Sequence, residues 1–225
     1  SFLLRDGVTS GHGGFEAVGT DAQRPSLALA DYMSYDEIGL AALLGVSCPT
    51  HFINSGGRGN CGAHGAPGSF EQRGVYVGLV GARFEKEGQM EWRHMRVTPR
   101  QNVAAAGYGA DADPAAPPTA QLAVWAEFYG EGAAGRHFFP SYAEAAAVEA
   151  AEAARGVPQE QRRFVQIPHS GGEMLNCAVY ARRMRAVVEP LLLDANERGH
   201  AANSKAYVHA VGLGIGVWAV AAAEQ

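Results

Sequence analysis

The chain has 225 residues, 47% of them hydrophobic and 18% charged, which supports a real buried core and excludes a largely disordered polymer. A formal net charge of −5 argues against a nucleic-acid partner, and no apolar run approaches the ~20 residues of a membrane span. Cys48, Cys61 and Cys177 are too scattered for a disulfide framework or a CxxC metal pair, which points to a reducing compartment.

Residues 1–33 read as an irregular N-terminal segment of a single domain. No signal peptide is visible at the start, and both ends are expected to be cropped, because the chain lacks an initiator Met and stops just after a strand-like run. Ser34-Tyr-Asp-Glu37 has the form of a capping box, and Ile38, Leu40, Ala41, Leu43 and Leu44 supply the apolar face of a helix that Gly45 closes. Thr50–Asn54 is a strand candidate running into a glycine-rich loop. Residues 74–84 read as a buried strand, and a turn over 85–89 leads to a second one, Met90–Val97, so a hairpin is expected.

Residues 103–118, rich in Ala, Gly, Pro and Asp, read as a mobile loop. Helices are predicted at about 119–129 and 142–155, the second opened by the capping box Ser141-Tyr-Ala-Glu144 and closed by Gly156 and Pro158. A short strand at 164–167 precedes a helix at about 173–188, and Pro190 starts a further turn ending at Gly199. Lys205–Val220 alternates as a last strand, with Gly212, Gly214 and Gly216 on one face. The predicted class is α/β (α+β), with mixed sheets and flanking helices.

Two stretches carry the candidate chemistry. Asn54–Gly68 holds six glycines in fifteen residues, so its backbone can approach a ligand closely. Asn54, Arg58 and Asn60 could there grip a phosphate and an amide together, although a flexible surface loop is the competing reading. The loop is neither a Walker A nor a GxGxxG fingerprint. The second stretch places Arg83, Phe84 and Glu85 near Glu91, Trp92, Arg93 and His94. A Glu in a partly apolar pocket can orient a hydroxyl and stabilise a developing cation, against the plainer reading of an Arg/Glu ladder facing solvent. His12, His64, His169 and His200 lack partners at ligand spacing, so no metal is expected, and His209 reads as a core histidine. Arg182, Arg183 and Arg185 read as a solvated helix face, one member of which could reach a pyrophosphate.

Four runs resemble a family of uncharacterised domains shared by bacteria and fungi: His51-Phe-Ile-Asn-Ser-Gly-Gly-Arg-Gly-Asn60, residues 74–85, Met90–Pro99 and residues 206–218. That family is associated with a divergent bacterial effector ADP-ribosyltransferase. The resemblance implies mixed sheets around a central NAD+ cleft, with NAD+ as substrate and an arginine of a protein acceptor, such as a host metabolic dehydrogenase, as the target. It implies a cytoplasmic protein, or one delivered into a host cytosol. By the general transferase pattern Glu91 or Glu85 orients the ribose and His51 stands on the first strand. Asn54, Ser55, Gly56, Arg58, Gly59, Asn60, Gly62 and Arg83 then hold the cofactor, while Tyr76 or Phe84 stacks on nicotinamide. The sequence departs from the pattern in lacking a Ser-Thr-Ser motif and an ExE pair. The expected activity is therefore mono-ADP-ribosyl transfer from NAD+. The alternatives are an NAD+ glycohydrolase, which would release free ADP-ribose, and a non-catalytic binding module, which would turn over nothing.

Overall fold

A computed structural model describes residues 45–57, 59–84 and 87–210 of the chain. The capping box at Ser34, the helix after it, Arg58, Glu85 and the stretch 211–220 of the last predicted strand lie outside these residues. The class is mixed α+β with antiparallel sheets. The chain divides into two units, Ser1–Ala42 with Arg83–Arg93 and Leu43–Ala82 with His94–Gln225.

In the larger unit, β1 (Gly45–His51) pairs antiparallel with β2 (Arg73–Leu79), from Gly45 opposite Leu79 to His51 opposite Arg73. Pro49 is tolerated because β1 is an edge strand of this pair and no ladder donor is lost. Thus the strand expected over 74–84 stops at Leu79 and takes its partner from upstream. The stretch 205–210 of the last predicted strand carries no regular structure, and His209, expected in a core, is exposed.

The expected second hairpin strand is largely helical. Trp92–Met95 forms a single turn, α1, and only Arg96–Val97 (β3) extends into a strand. Met90, Glu91, His94 and Met95 are the buried positions, a spacing of three and four that belongs to a helical turn and not to a period of two.

A three-stranded sheet follows in the order β3–β5–β4, with β4 at Phe164–Gln166 and β5 at Met174–Asn176, both pairings antiparallel. Val97, Phe164 and Met174 pack there with Ala145 of α3 (Tyr142–Ala154) into one apolar cluster. The predicted capping box opens α3: Ser141 Oγ accepts from the Glu144 amide and Glu144 Oε2 accepts from the Ser141 amide. Helix α2 (Pro117–Phe128) begins with prolines, whose missing N–H costs nothing in a first turn. Helix α4 (Cys177–Ala201) runs straight through Pro190, where a break was expected. Its N-cap is the fully buried Asn176, whose Oδ1 accepts from the Val179 amide.

Candidate functional site

The glycine-rich loop is stitched to itself. Asn54 Oδ1 accepts from the Gly56 amide at 2.9 Å, and Asn54 Nδ2 donates to the carbonyls of Ala63 and Cys61 at 2.8 and 3.4 Å. Asn60 Nδ2 donates to Ser55 Oγ at 3.1 Å, and the Asn60 amide closes a turn onto Gly57. The amide groups expected to hold a ligand are thus spent on the loop's own shape. Gly59 and Gly62 have open space around them, while a side chain on Gly56 would meet the His209 ring. His51 and Tyr76 lie exposed on the β1–β2 ribbon.

Arg83, Phe84 and Glu91 belong to the other unit. There Arg83 forks onto Glu91: its Nε and Nη2 donate to Oε2 and Oε1 at 2.6 and 2.9 Å, and its amide donates to Oε2 at 3.2 Å. Glu91 is only 5% exposed, so it is a buried, paired carboxylate and not the exposed group of the expected hairpin.

The best-braced polar surface of the larger unit is the segment expected to be mobile. Asn102 is its anchor, buried, with Oδ1 accepting from the Thr98 amide and Nδ2 donating to the Pro140 carbonyl. The chain then makes a 3₁₀ turn at Ala104–Ala106 and bends at Gly107 (φ +93°) and Gly109 (φ +87°). Only glycine fits here, because a Cβ on Gly107 would lie 2.8 Å from the Thr119 amide nitrogen and one on Gly109 2.9 Å from the Ser141 side chain. Tyr108 and Ala112 are buried, which turns Asp111 and Asp113 outward.

Two charged side chains clamp the segment from opposite signs. Glu144 Oε1 accepts from the Ala110 amide at 3.0 Å, and the Arg136 guanidinium donates to the carbonyls of Ala110, at 2.6 Å, and of Ala112. Burial pushes the Glu144 carboxyl up, but the hydrogen bonds from Ala110 and Ser141 outweigh it and hold the group below the ordinary carboxylate value. Asp111 has no ion pair or side-chain hydrogen bond among the described residues, and the Asp113 side chain accepts only the Ala115 amide. Two carboxylates without counter-ions on a fixed loop can take a proton from water or orient ribose hydroxyls.

A second polar cluster lies just beyond α2. Glu131, with its side chain 2% exposed, is reached by Arg163 Nη2 at 2.6 Å, Asn176 Nδ2 at 3.2 Å and Arg182 Nη1 at 3.6 Å. Asn176 also caps α4, so the Glu131 carboxylate sits beside the positive end of that helix. Of the three arginines read as a solvated face, Arg183 is buried and donates to the carbonyls of Val80 and Gly81, and Arg185 pairs with Glu189. Asn102, Glu131, Arg136, Arg163 and Asn176 were not singled out from the sequence. The available signals were weak: an acid between two glycines at Gly130-Glu131-Gly132, and an Asn immediately before a helical pattern. Among the described residues no group of three or more His, Cys, Asp or Glu side chains is placed to hold a metal ion. No described helix is long and apolar enough to cross a membrane.

The family model described as ADP-ribosylhydrolase MavL-like matches residues 1–225. This chain therefore belongs to the MavL-like ADP-ribosylhydrolase family. It is 37% identical over 221 residues to ADP-ribosylarginine hydrolase CG3568 of Drosophila melanogaster, covering 96% of this chain and 40% of that protein. It is 35% identical over 227 residues to ADP-ribosylarginine hydrolase CG2909 of the same organism, covering 100% of this chain and 41% of that protein. The chain thus spans about two fifths of the length of these curated relatives.

Membership in this family corrects the transferase expectation, and with it NAD+ as the substrate. The physical reason is that making and hydrolysing a ribosyl bond pass through the same oxocarbenium-like state, so glycines and carboxylates in a sequence do not give the direction. What differs is the acceptor, a guanidine in one case and water in the other.

Proposed function

We propose that this chain carries the hydrolytic site of an ADP-ribosylarginine hydrolase, which cleaves the bond between the ribose of ADP-ribose and an arginine guanidine. The proposed partner is an ADP-ribosylated protein, and the proposed site belongs to a single domain over residues 1–225. The observation that carries the reading is the similarity to two relatives named for this activity, over nearly the whole of this chain. The Asp111–Asp113 loop supports it, because the reaction needs a carboxylate placed to activate water.

In the proposed step, water adds to the anomeric carbon as the carbon–nitrogen bond breaks, and a proton passes to the leaving guanidine. Asp111 or Asp113 accepts the proton from water, and the other orients the ribose hydroxyls. The braces from Arg136 and Glu144 keep the loop from yielding when charge develops. The test is incubation with an arginine-ADP-ribosylated protein and measurement of free ADP-ribose. Stoichiometric release with recovery of unmodified arginine is expected, and no release over background would overturn the reading.

A further inference from the structure

Two arginines share the one buried carboxylate of Glu131, and one of them is not needed to satisfy it. Arg163 makes a short hydrogen-bonded pair at 2.6 Å and Asn176 supplies a second hydrogen bond. Arg182 stands at 3.6 Å, close enough for attraction but beyond a hydrogen bond, and it donates to no other described residue. Its five N–H donors therefore have no acceptor among the described residues. The side chains of Arg163 and Arg182 are 40% and 46% exposed, so both guanidiniums face solvent above a carboxylate that is 2% exposed.

Burying Glu131 costs desolvation that one arginine, one amide and a helix N-terminus already offset. The second arginine leaves the cluster with one net positive charge, side by side with another cation, which is unfavourable until an anion arrives. Each guanidinium also packs against a neighbour. The Arg163 guanidinium lies 5.2 Å from the centre of the Phe164 ring. Arg182 lies across Gly130, where a Cβ would come within 3.1 Å of Nη1. Guanidiniums packed and partly desolvated in this way lose less entropy on binding than free ones and suit phosphate oxygens in two-pronged geometry.

The cluster is tied to the Asp111–Asp113 loop through the chain itself. Arg136, which clamps that loop, lies five positions after Glu131, and even a fully extended chain of that length spans only ~17 Å. The Ala133–Arg136 bridge turns the chain back and shortens the span further. We infer that Arg163 and Arg182, seated on Glu131, are a diphosphate-binding fork that takes the pyrophosphate of the ADP-ribosyl group. This inference rests on the hydrolase reading for its ligand, but the anion chemistry stands on the cluster alone.

The experiment is calorimetric titration of the full chain with ADP-ribose and with inorganic pyrophosphate, using the wild type, Arg182→Gln and Arg182→Lys. Thermal melts check that each variant is folded; Arg182→Gln leaves Glu131 its bonds to Arg163 and Asn176. At least a tenfold weakening for both ligands is expected in Arg182→Gln, with Arg182→Lys intermediate because it keeps charge and loses the planar fork. Equal affinity of wild type and Arg182→Gln for ADP-ribose would overturn the fork and leave the hydrolase reading intact. Arg182-dependent pyrophosphate binding in a chain that releases no ADP-ribose from a modified protein would support the fork and sink the hydrolase reading.

Discussion

The Glu144 carboxylate accepts the amide of Ala110, thirty-four residues upstream, at 3.0 Å while it also closes the capping box of α3. One side chain thus joins a helix start to the loop that presents Asp111 and Asp113. Glu144→Ala should lower stability by about 1 kcal/mol, the usual cost of a lost cap, and Tm by about 2–4 °C. Exchange of the Ala110 amide should accelerate more than exchange elsewhere in α3. Unchanged protection at Ala110 would mean that the brace is not made in solution.

The same hydrogen bonds set a pH dependence. Because the folded Glu144 pKa is lowered, its stabilisation is present above the unfolded carboxylate value and is lost as pH falls through the lowered one. Glu144→Gln should flatten the acid limb of a stability–pH curve. Superimposable wild-type and variant limbs would remove this group from the account.

Asp111→Asn and Asp113→Asn should each leave stability within ~0.5 kcal/mol, since both side chains are exposed. At least one should cut the release of ADP-ribose by roughly 10²-fold, the usual worth of a positioned acid or base. Wild-type rates in both variants would move the catalytic carboxylate to another residue.

Glu91 offers the opposite pattern. Reading it as an exposed hairpin residue leads one to expect loss of activity at little cost in stability. Buried under the Arg83 fork, it should instead cost about 3 kcal/mol when replaced by Ala, because a charged guanidinium loses its partner. A urea titration decides the matter. Unchanged stability with abolished turnover would restore Glu91 as a reacting group.

Glycines should divide by environment. A Cβ on Gly132 would lie 2.2 Å from the Arg136 carbonyl oxygen, and its φ is +119°. Gly59 has nothing within 4 Å. Gly132→Ala should cost upwards of about 2 kcal/mol, while Gly59→Ala should stay within about 1 kcal/mol of wild type. Comparable melting points for the two variants would contradict the packing of the 130–136 turn.

Local signals in the sequence were read correctly where the structure is local. The capping box at Ser141 and Glu144 depends on contacts within one helical turn, whereas α2 begins at Pro117, inside the segment expected to be a loop, and the short strand at Phe164 takes its partner from β5. The Met90–Val97 stretch was misread because a run rich in Met, Trp and Val fits a strand by composition, while its buried positions follow a helical spacing. Pro190 was expected to end a helix, but α4 continues past it, so the penalty for one missing hydrogen bond was overcome by the rest of a long helix. The 103–118 segment looked mobile because its composition is that of a loop. Its order comes from Arg136, Glu144 and Asn102, partners at separations that no local pattern reveals.

By itself the sequence determined the class of fold, the start of α3 and the net charge, while the family it was taken to resemble pointed to transfer where the relatives are named for hydrolysis. Only the tertiary structure decided which polar groups are spent and which remain available. Asn54 and Glu91, the attractive candidates by residue type, are spent on their own surroundings, whereas Asp111, Asp113 and Arg182 are left facing outward. Hydrogen-bond capacity is finite, and what remains for a ligand is known only once the folded chain has taken its share.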